Sequence, residues 1–327
     1  MAKAANVTAL HTHARNPGMA LDLDAVANVR VNRAAIERRI ASLAGRRTVK
    51  KQWQAAWLLK AISCIDLTTL AGDDTPGRVR RLCAKARQPL RPELKDQLGL
   101  GHLPLTVGAV CVYHEMIEPA RAALEGTGIP IAAVSTGFPA GLSPFGTRLA
   151  EIKASVAAGA QEIDIVISRR HVLMRDWPAL YGEVKAFREA CGPAHLKAIL
   201  ATGELGALKQ VGQASMVAMM AGADFIKTST GMESVNATLP VSLTMVRAIR
   251  TYQDMTGQTV GFKPAGGIST AKDALQYLAL VKEEMGNAWL SPDLFRFGAS
   301  RLLGDIERQL HHHATGRYAR ADHNPLG

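Results

Sequence analysis

The 327-residue chain reads as a parallel (β/α)8 barrel behind a helical extension. Short apolar runs alternate with amphipathic segments long enough for helices, the order that builds βαβ units on a parallel sheet. Eight such units fall within about 250 residues, the number and length that close a barrel. The composition agrees. Hydrophobic residues make up 47% of the chain, ample for a large core, and only 5% are aromatic, so small side chains dominate and helices can pack closely on a sheet.

In chain order, residues 1–18 (MAKAANVTALHTHARNPG) lack the apolar centre of a secretory signal and read as a disordered lead-in. Residues 20–60 have helical periodicity, with Trp53, Trp57, Leu58 and Leu59 as an apolar stripe. The predicted strands are AISCIDL (61–67), TVGAVCV (106–112), PIAAVS (130–135), EIDIVI (162–167), HLKAIL (195–200), ADFIK (223–227), TVGFK (259–263) and LFRFG (294–298). The predicted helices cover 75–87, 114–125, 145–159, 177–191, 207–221, 238–255, 270–285 and 299–312. The implied organisation is a lead-in and extension over 1–60, a barrel over 61–313 and a tail over 314–327. An open doubly wound sheet would need a glycine-rich turn after its first strand. The GxG at Gly126-Thr127-Gly128 follows a helix and precedes a strand, the wrong order for a dinucleotide site.

Several function classes recede. No apolar run reaches 18 residues, which argues against a membrane-spanning helix. Cys64, Cys83, Cys111 and Cys191 are widely spaced without a CxxC pair, which suits reduced thiols in the cytoplasm rather than disulfides or a zinc ribbon. The formal net charge of +11 is concentrated at Arg46-Arg47…Lys50-Lys51 and Arg78…Arg81…Lys85…Arg87. These clusters carry no interleaved aromatics, so a solvated basic surface that draws anionic small substrates is expected, not a nucleic-acid site.

The stretch AGADFIKTSTG (221–231) places Lys227 where an apolar strand meets a small-residue loop. VAAGAQEID (156–164) aligns with MMAGADFIK (219–227) without gaps, matching Gly159 to Gly222 and Asp164 to Lys227. These are the fourth and sixth strands, and alternate strands of a barrel supply side chains to one interior layer. A carboxylate and an amine should therefore face each other inside. Lys263 closes the seventh strand in VGFKPAGGIST, next to the sixth. Two buried cations side by side lower a lysine pKa, and a neutral amine attacks carbonyl carbon to give an imine. Asp164 is placed to move protons through water. Gly266-Gly267 after the seventh strand and Gly298-Ala299-Ser300 leading into the last helix suit a phosphate cradle of backbone N–H groups. His311-His312-His313 lie at a helix C-terminus and no HxH or HxxxH falls at a strand end, so no metal site is expected.

EIDIVI, DFIKTSTG, VGFKPAGGIST and FRFGAS, in that order and spacing, resemble the deoxyribose-phosphate aldolase family. IDLTTLAGDDT (65–75), AVCVY (109–113) and LKAILATGEL (196–205) extend the resemblance over roughly residues 46–318, in the longer, eukaryote-like form. The resemblance implies a TIM barrel that reversibly cleaves 2-deoxy-D-ribose 5-phosphate to acetaldehyde and D-glyceraldehyde 3-phosphate, as a cytoplasmic catabolic enzyme. It implies no metal or other cofactor, no membrane or nucleic-acid partner, and leaves room for a homo-oligomer. It places Lys227 as the imine lysine, Lys263 as its perturbing neighbour and Asp164 as the proton relay. Asp66, Thr68 and Cys111 become pocket residues, and Gly231, Gly266, Gly267, Gly298 and Ser300 become phosphate-side residues; Arg301, which the resemblance does not supply, is expected to swing back as a partial substitute for the missing phosphate cations. Tyr318 is the candidate for a tail tyrosine that some members carry. The chain departs from the family where Met232 replaces a lysine after TSTG, Ser269 an arginine after GGI, and Arg301 a small hydroxyl residue after GAS. The alternatives are another lysine-dependent barrel such as a transaldolase, and a non-catalytic sugar-phosphate-binding barrel.

Overall fold

The computed structural model describes residues 14–46, 48–101 and 103–320. Three helices come first: α1 (Leu23–Ala27), α2 (Arg33–Arg46) and α3 (Lys51–Ser63). Eight strands follow: β1 (Ile65–Thr68), β2 (Ala109–Val112), β3 (Ile131–Ser135), β4 (Glu162–Val166), β5 (His195–Ile199), β6 (Phe225–Lys227), β7 (Gly261–Lys263) and β8 (Phe297–Ala299). After β1 come α4 (Pro76–Arg87) and α5 (Pro92–Gln97), and after β2 and β3 come α6 (Ile117–Leu124) and α7 (Phe145–Ala158). A short α8 (Arg169–Leu173) and then α9 (Trp177–Ala190) follow β4. The remaining strands lead to α10 (Leu208–Met220), α11 (Leu239–Thr256), α12 (Ala271–Met285) and α13 (Leu302–Thr315).

All strand pairs are parallel, in the order β7-β6-β5-β4-β3-β2-β1-β8. Single bridges Phe262↔Phe295 and Ala265↔Gly298 join β7 to the β8 segment. Across that seam Phe262 N–H donates to Leu294 O (2.9 Å), Arg296 N–H to Phe262 O (3.1 Å) and Gly298 N–H to Pro264 O (3.0 Å). The eight strands thus form a nearly closed barrel with helices between them.

Local sequence sets the helix ends. Thr75 and Thr238 accept hydrogen bonds from Arg78 N–H and Val241 N–H, and Thr270 with Asp273 forms a reciprocal capping box on α12. The two glycines of the internal repeat end helices with positive φ, +112° at Gly159 and +94° at Gly222, before the chain turns into β4 and β6. Ile163, Ile165, Leu196, Ala198, Ile226 and Phe262 point away from the barrel axis and pack in the core between sheet and helices. Cys111, Ala132 and Val134 form a separate apolar cluster on the alternate, inward face.

The structure corrects three expectations. The first predicted strand starts too early: residues 61–63 complete α3 and Cys64 caps it, so ladder pairing begins at Ile65. Trp53 is 67% exposed and leaves the stripe that Leu58 anchors, because α3 lies on α12 and α13 with its first turn projecting outward. The lead-in is fixed from Arg15 to Met19; residues 1–13 lie outside the described residues. Buried Asn16 receives a bond from Tyr252 Oη (3.0 Å) and donates through Nδ2 to Met219 O (2.8 Å) and Ala223 O (2.9 Å). A single asparagine satisfying carbonyls at a helix end leaves no periodic signal in the sequence.

All four cysteines are free and buried. Burial pushes the thiols of Cys64 and Cys83 up to about 11, and Cys191 to about 12. Part of the basic surface is internally paired, with Arg78 on Asp73 (2.8 Å) and Lys85 on Glu307 (2.7 Å).

Candidate active site

Side chains alternate across a strand, so Glu162 and Asp164 share the inward face of β4. Lys197 on β5 lies opposite Asp164 in register, whereas Lys227 on β6 lies opposite Ile199, two residues further on. Barrel strands tilt and stagger, so side chains offset in register can meet on the axis. Lys227 Nζ donates to Asp164 Oδ2 at 2.8 Å, and Lys263 Nζ donates to the same oxygen at 2.8 Å. Lys227 and Lys263 are direct register partners on β6 and β7. The expected convergence of Lys227, Lys263 and Asp164 is therefore present, with the two lysines at the C-terminal ends of β6 and β7 and Asp164 midway along β4.

The convergence is wider than expected. Lys263 also bonds Asp66 Oδ2, and Arg296 Nη1 bonds Asp66 Oδ1 (2.5 Å). Arg296 Nη2 bonds Glu162 Oε1 at 2.9 Å. Lys197 bonds Glu162 and lies 3.3 Å from Asp164 Oδ1. Among the described residues this buried layer holds three carboxylates (Asp66, Glu162, Asp164) and four cations (Lys197, Lys227, Lys263, Arg296).

Burial is the largest influence on each lysine and favours loss of the proton. At Lys227 it prevails: the pull of Asp164 is outweighed by burial together with the repulsion of Lys263, and the pKa falls below the ordinary 10.5. At Lys263, Asp164 and Asp66 together overcome burial and raise the pKa well above 10.5. Lys197 is also raised, by Asp164, Glu162 and Asp66 against burial. Burial opposes the charge on Asp164, but Lys197, Lys227 and Lys263 hold its carboxyl far below the usual range. Of the three lysines in the layer, Lys227 alone is shifted towards the neutral form.

The other expected residues are placed unevenly. Cys111 faces the layer from β2 as a buried thiol, raised by burial. Asp66 is wholly buried with both oxygens bonded to cations, so the structure puts it in the ionic layer and not at an open pocket wall. Thr68 donates to Asp66 O (2.7 Å), and Ser300 Oγ donates to Thr68 O (2.8 Å), which ties the loops after β1 and β8. The N–H of Gly231 donates to Glu233 Oε2 (3.1 Å), beside that of Thr230, which donates to Oε1 (3.0 Å). A side-chain carboxylate therefore occupies donors that sequence reasoning kept for phosphate. Gly266 and Gly267 both have φ +78°; a Cβ at Gly266 would meet Asn236 Cγ at 2.6 Å, whereas Gly267 faces open space. Gly298 has a packing role: a Cβ there would press on Ala265 Cβ (2.7 Å) and Lys263 Cε (3.2 Å). Arg301 and Met232 are exposed on the loops after β8 and β6. Tyr318 stacks on His312, ring centroids 4.4 Å apart.

Sequence reasoning missed Lys197, Glu162 and Arg296 as members of the layer. Signals existed: Lys197 interrupts the apolar HLKAIL, Glu162 precedes Asp164 by the strand period, and Arg296 precedes Gly298 by the same period.

A parallel barrel that sets a buried amine of lowered pKa at a strand end, against a carboxylate, has the layout of an enzyme's active site. Residues 60–302 match the DeoC/LacD family aldolase, and the chain belongs to that family. It is 59% identical to the deoxyribose-phosphate aldolase of Mus musculus over 304 residues, 92% of this chain and 96% of that one. It is 57% identical to the deoxyribose-phosphate aldolase of Homo sapiens over 308 residues, 94% and 97% of the two chains. The solved tetrameric deoxyribose phosphate aldolase from Aeropyrum pernix superposes with a TM-score of 0.58 at 21% identity, covering 81% of this chain and 98% of that one, a likeness of fold.

Proposed function

We propose that this aldolase reversibly cleaves 2-deoxy-D-ribose 5-phosphate to acetaldehyde and D-glyceraldehyde 3-phosphate through an imine on Lys227. The observation that carries the mechanism is the amine of Lys227, buried and depressed, 2.8 Å from Asp164 and in register with a charged Lys263. The long, high-identity match to deoxyribose-phosphate aldolases supports the substrate.

The neutral Nζ of Lys227 adds to the aldehyde carbon of the open-chain sugar, and loss of water leaves a protonated imine. A proton leaves the C3 hydroxyl, the C2–C3 bond breaks, and its electron pair moves to the iminium. Glyceraldehyde 3-phosphate departs and an enamine remains. Protonation at C2 and hydrolysis release acetaldehyde and restore Lys227. Asp164, bonded to both amines, relays the protons through water, while charged Lys263 stabilises negative charge developing on oxygen. The imine is itself the electron sink, so this chemistry asks for no metal. The apolar face of Cys111, Ala132 and Val134 borders the layer and suits the two-carbon end of the substrate. On the phosphate side, the reading keeps Gly267, Ser300 and Arg301 as candidate donors, in the loops after β7 and β8. The natural setting is the cytoplasm, and light scattering would establish whether the chain forms a homo-oligomer.

The test is borohydride reduction in the presence of acetaldehyde, followed by peptide mass spectrometry. An ethyl adduct on Lys227 is expected, absent from Lys227→Met. In Asp164→Asn, trapping should persist while turnover falls by about 10²–10⁴-fold. A label on Lys263 or Lys197 instead would overturn the assignment.

A further inference from the structure

Of the buried ionic side chains that have no part in these steps, Arg296 and Glu162 lie furthest from the reactive amine along the ion pairs. Arg296 is 1% exposed and Glu162 is wholly buried. A guanidinium in a barrel interior carries a desolvation cost of several kcal/mol, and apolar residues fill such space at least as well. The backbone is nevertheless shaped to admit it. Gly108 lies against the Arg296 stem, where a Cβ would come within 3.2 Å of Cδ and 2.9 Å of Ser63 O. The Arg296 Nε–H donates to the Pro292 carbonyl.

Two chains of contacts with alternating charge lead from Arg296 to the reactive amine. One runs through Asp66, Lys263 and Asp164 to Lys227. The other runs through Glu162, Lys197 and Asp164 to Lys227. Asp164 of β4 and Lys263 of β7 face Lys227 directly; Cys111 of β2 adds a thiol, and Lys197 of β5 and Asp66 of β1 stand behind them. Three carboxylates are matched by Lys197, Lys263 and Arg296, and Lys227 is the cation left over.

We propose that Arg296 and Glu162 are positioning residues that set the charge state of Lys227: Arg296 completes the cations that balance the carboxylates, so that Lys227 can stand as the neutral nucleophile. Without Arg296, Asp66 and Glu162 draw on the remaining lysines, and Lys227 is retained as an ammonium ion. Without the charge of Glu162, the surplus of cations grows and Lys227 gives up its proton more readily. The directions of titration agree, with Lys227 lowered while Lys197, Lys263 and Arg296 are raised.

This inference rests on the imine reading of Lys227, and the experiment separates the two. Acetaldehyde trapping by borohydride and kcat/KM are measured against pH in the full chain. The variants are Arg296→Met, Arg296→Lys, Glu162→Gln and the Met/Gln double variant. Arg296→Met should move the rising limb to higher pH by about one unit or more, which is tenfold less trapping on that limb, with Lys227 labelling recovered at alkaline pH. Glu162→Gln should move the limb down, the double variant should return towards the parent, and Arg296→Lys should keep the parent limb. If both single variants shift the limb the same way, or neither shifts it while trapping on Lys227 continues, Arg296 and Glu162 only support the fold and the proposal fails. Absence of trapping in the parent at every pH would defeat the imine reading itself. Should Arg296→Met not fold, the near-isosteric Glu162→Gln decides alone: a limb unmoved or moved upward overturns the proposal.

Discussion

Across one barrel interior, two walls are made of different materials. On β2 and β3 the inward positions are Cys111, Ala132 and Val134, with Leu70, Tyr113 and Phe138 packed nearby. On β1 and around β4 to β8 they are Asp66, Glu162, Asp164, Lys197, Lys227, Lys263 and Arg296, joined by ion pairs. The apolar wall has no charge to place and can be built from small, interchangeable side chains. The ionic wall cannot tolerate an unmatched group, because each buried charge without a partner costs several kcal/mol. Its four cations exceed its three carboxylates by one, and Asp164 accepts from both Lys227 and Lys263. If Lys227 is that extra cation, its reactivity comes from imbalance in an otherwise balanced layer beside the apolar wall.

The strongest way to break this contrast is Lys227→Met. Turnover should fall by on the order of 10⁵-fold or more, as for loss of other covalent nucleophiles. Stability at neutral pH should rise by a few degrees in Tm. The sign follows from linkage: the folded pKa of Lys227 lies below the ordinary 10.5, so folding releases protons between those values and the burial penalty is fully present below the lower one. Removing the amine removes that penalty, while Asp164 keeps Lys263 and Lys197. Calorimetry checks it; an unchanged or lower Tm would mean that Lys227 is no surplus charge.

Next in size is Gly298→Ala. The new methyl would push Ala265 and the Lys263 stem, at an overpacking cost of roughly 1–3 kcal/mol. Denaturant melts and the trapping assay should both register the change. If Gly298 serves only to let the phosphate come close to the backbone, KM for the phosphorylated sugar should rise with stability untouched.

On the apolar wall, Val134→Thr buries a hydroxyl in the same volume and should cost about 1–3 kcal/mol of stability. Activity should drop less than tenfold, with no movement of the pH limb; a moved limb would blur the distinction between the walls.

The smallest effect is expected at the rim. Arg301→Ser should lower the preference for 2-deoxyribose 5-phosphate over 2-deoxyribose, in kcat/KM, by about tenfold, the size of one charge-assisted hydrogen bond. An unchanged ratio would remove Arg301 from the phosphate site.

These walls were not equally readable in the sequence. Strand and helix rhythm exposed the barrel, since burial on both faces forces apolar runs and amphipathic helices. Lys227, Lys263 and Asp164 stood out because each closes or interrupts an apolar strand. Asn16 did not, since a lead-in with no period gives no hint of a helix end to satisfy 203 residues away. Glu233 likewise gave no sign that it would occupy the Thr230 and Gly231 N–H groups, because that is settled by the fold of one loop.

By itself the sequence determined the repeat of strand and helix, the inward placement of Asp164 and Lys227 on alternate strands, and the family. Those properties are local: they depend on period, turn chemistry and residue type. The tertiary structure decided which charges share a carboxylate, that Asp66 is locked between Lys263 and Arg296, and that Asp164 accepts from both Lys227 and Lys263. Such matters depend on distances between strands far apart in the chain, set by barrel closure and tilt. A charge's effect on its neighbour varies inversely with that distance and with the polarity around it, and neither quantity is written in any single strand.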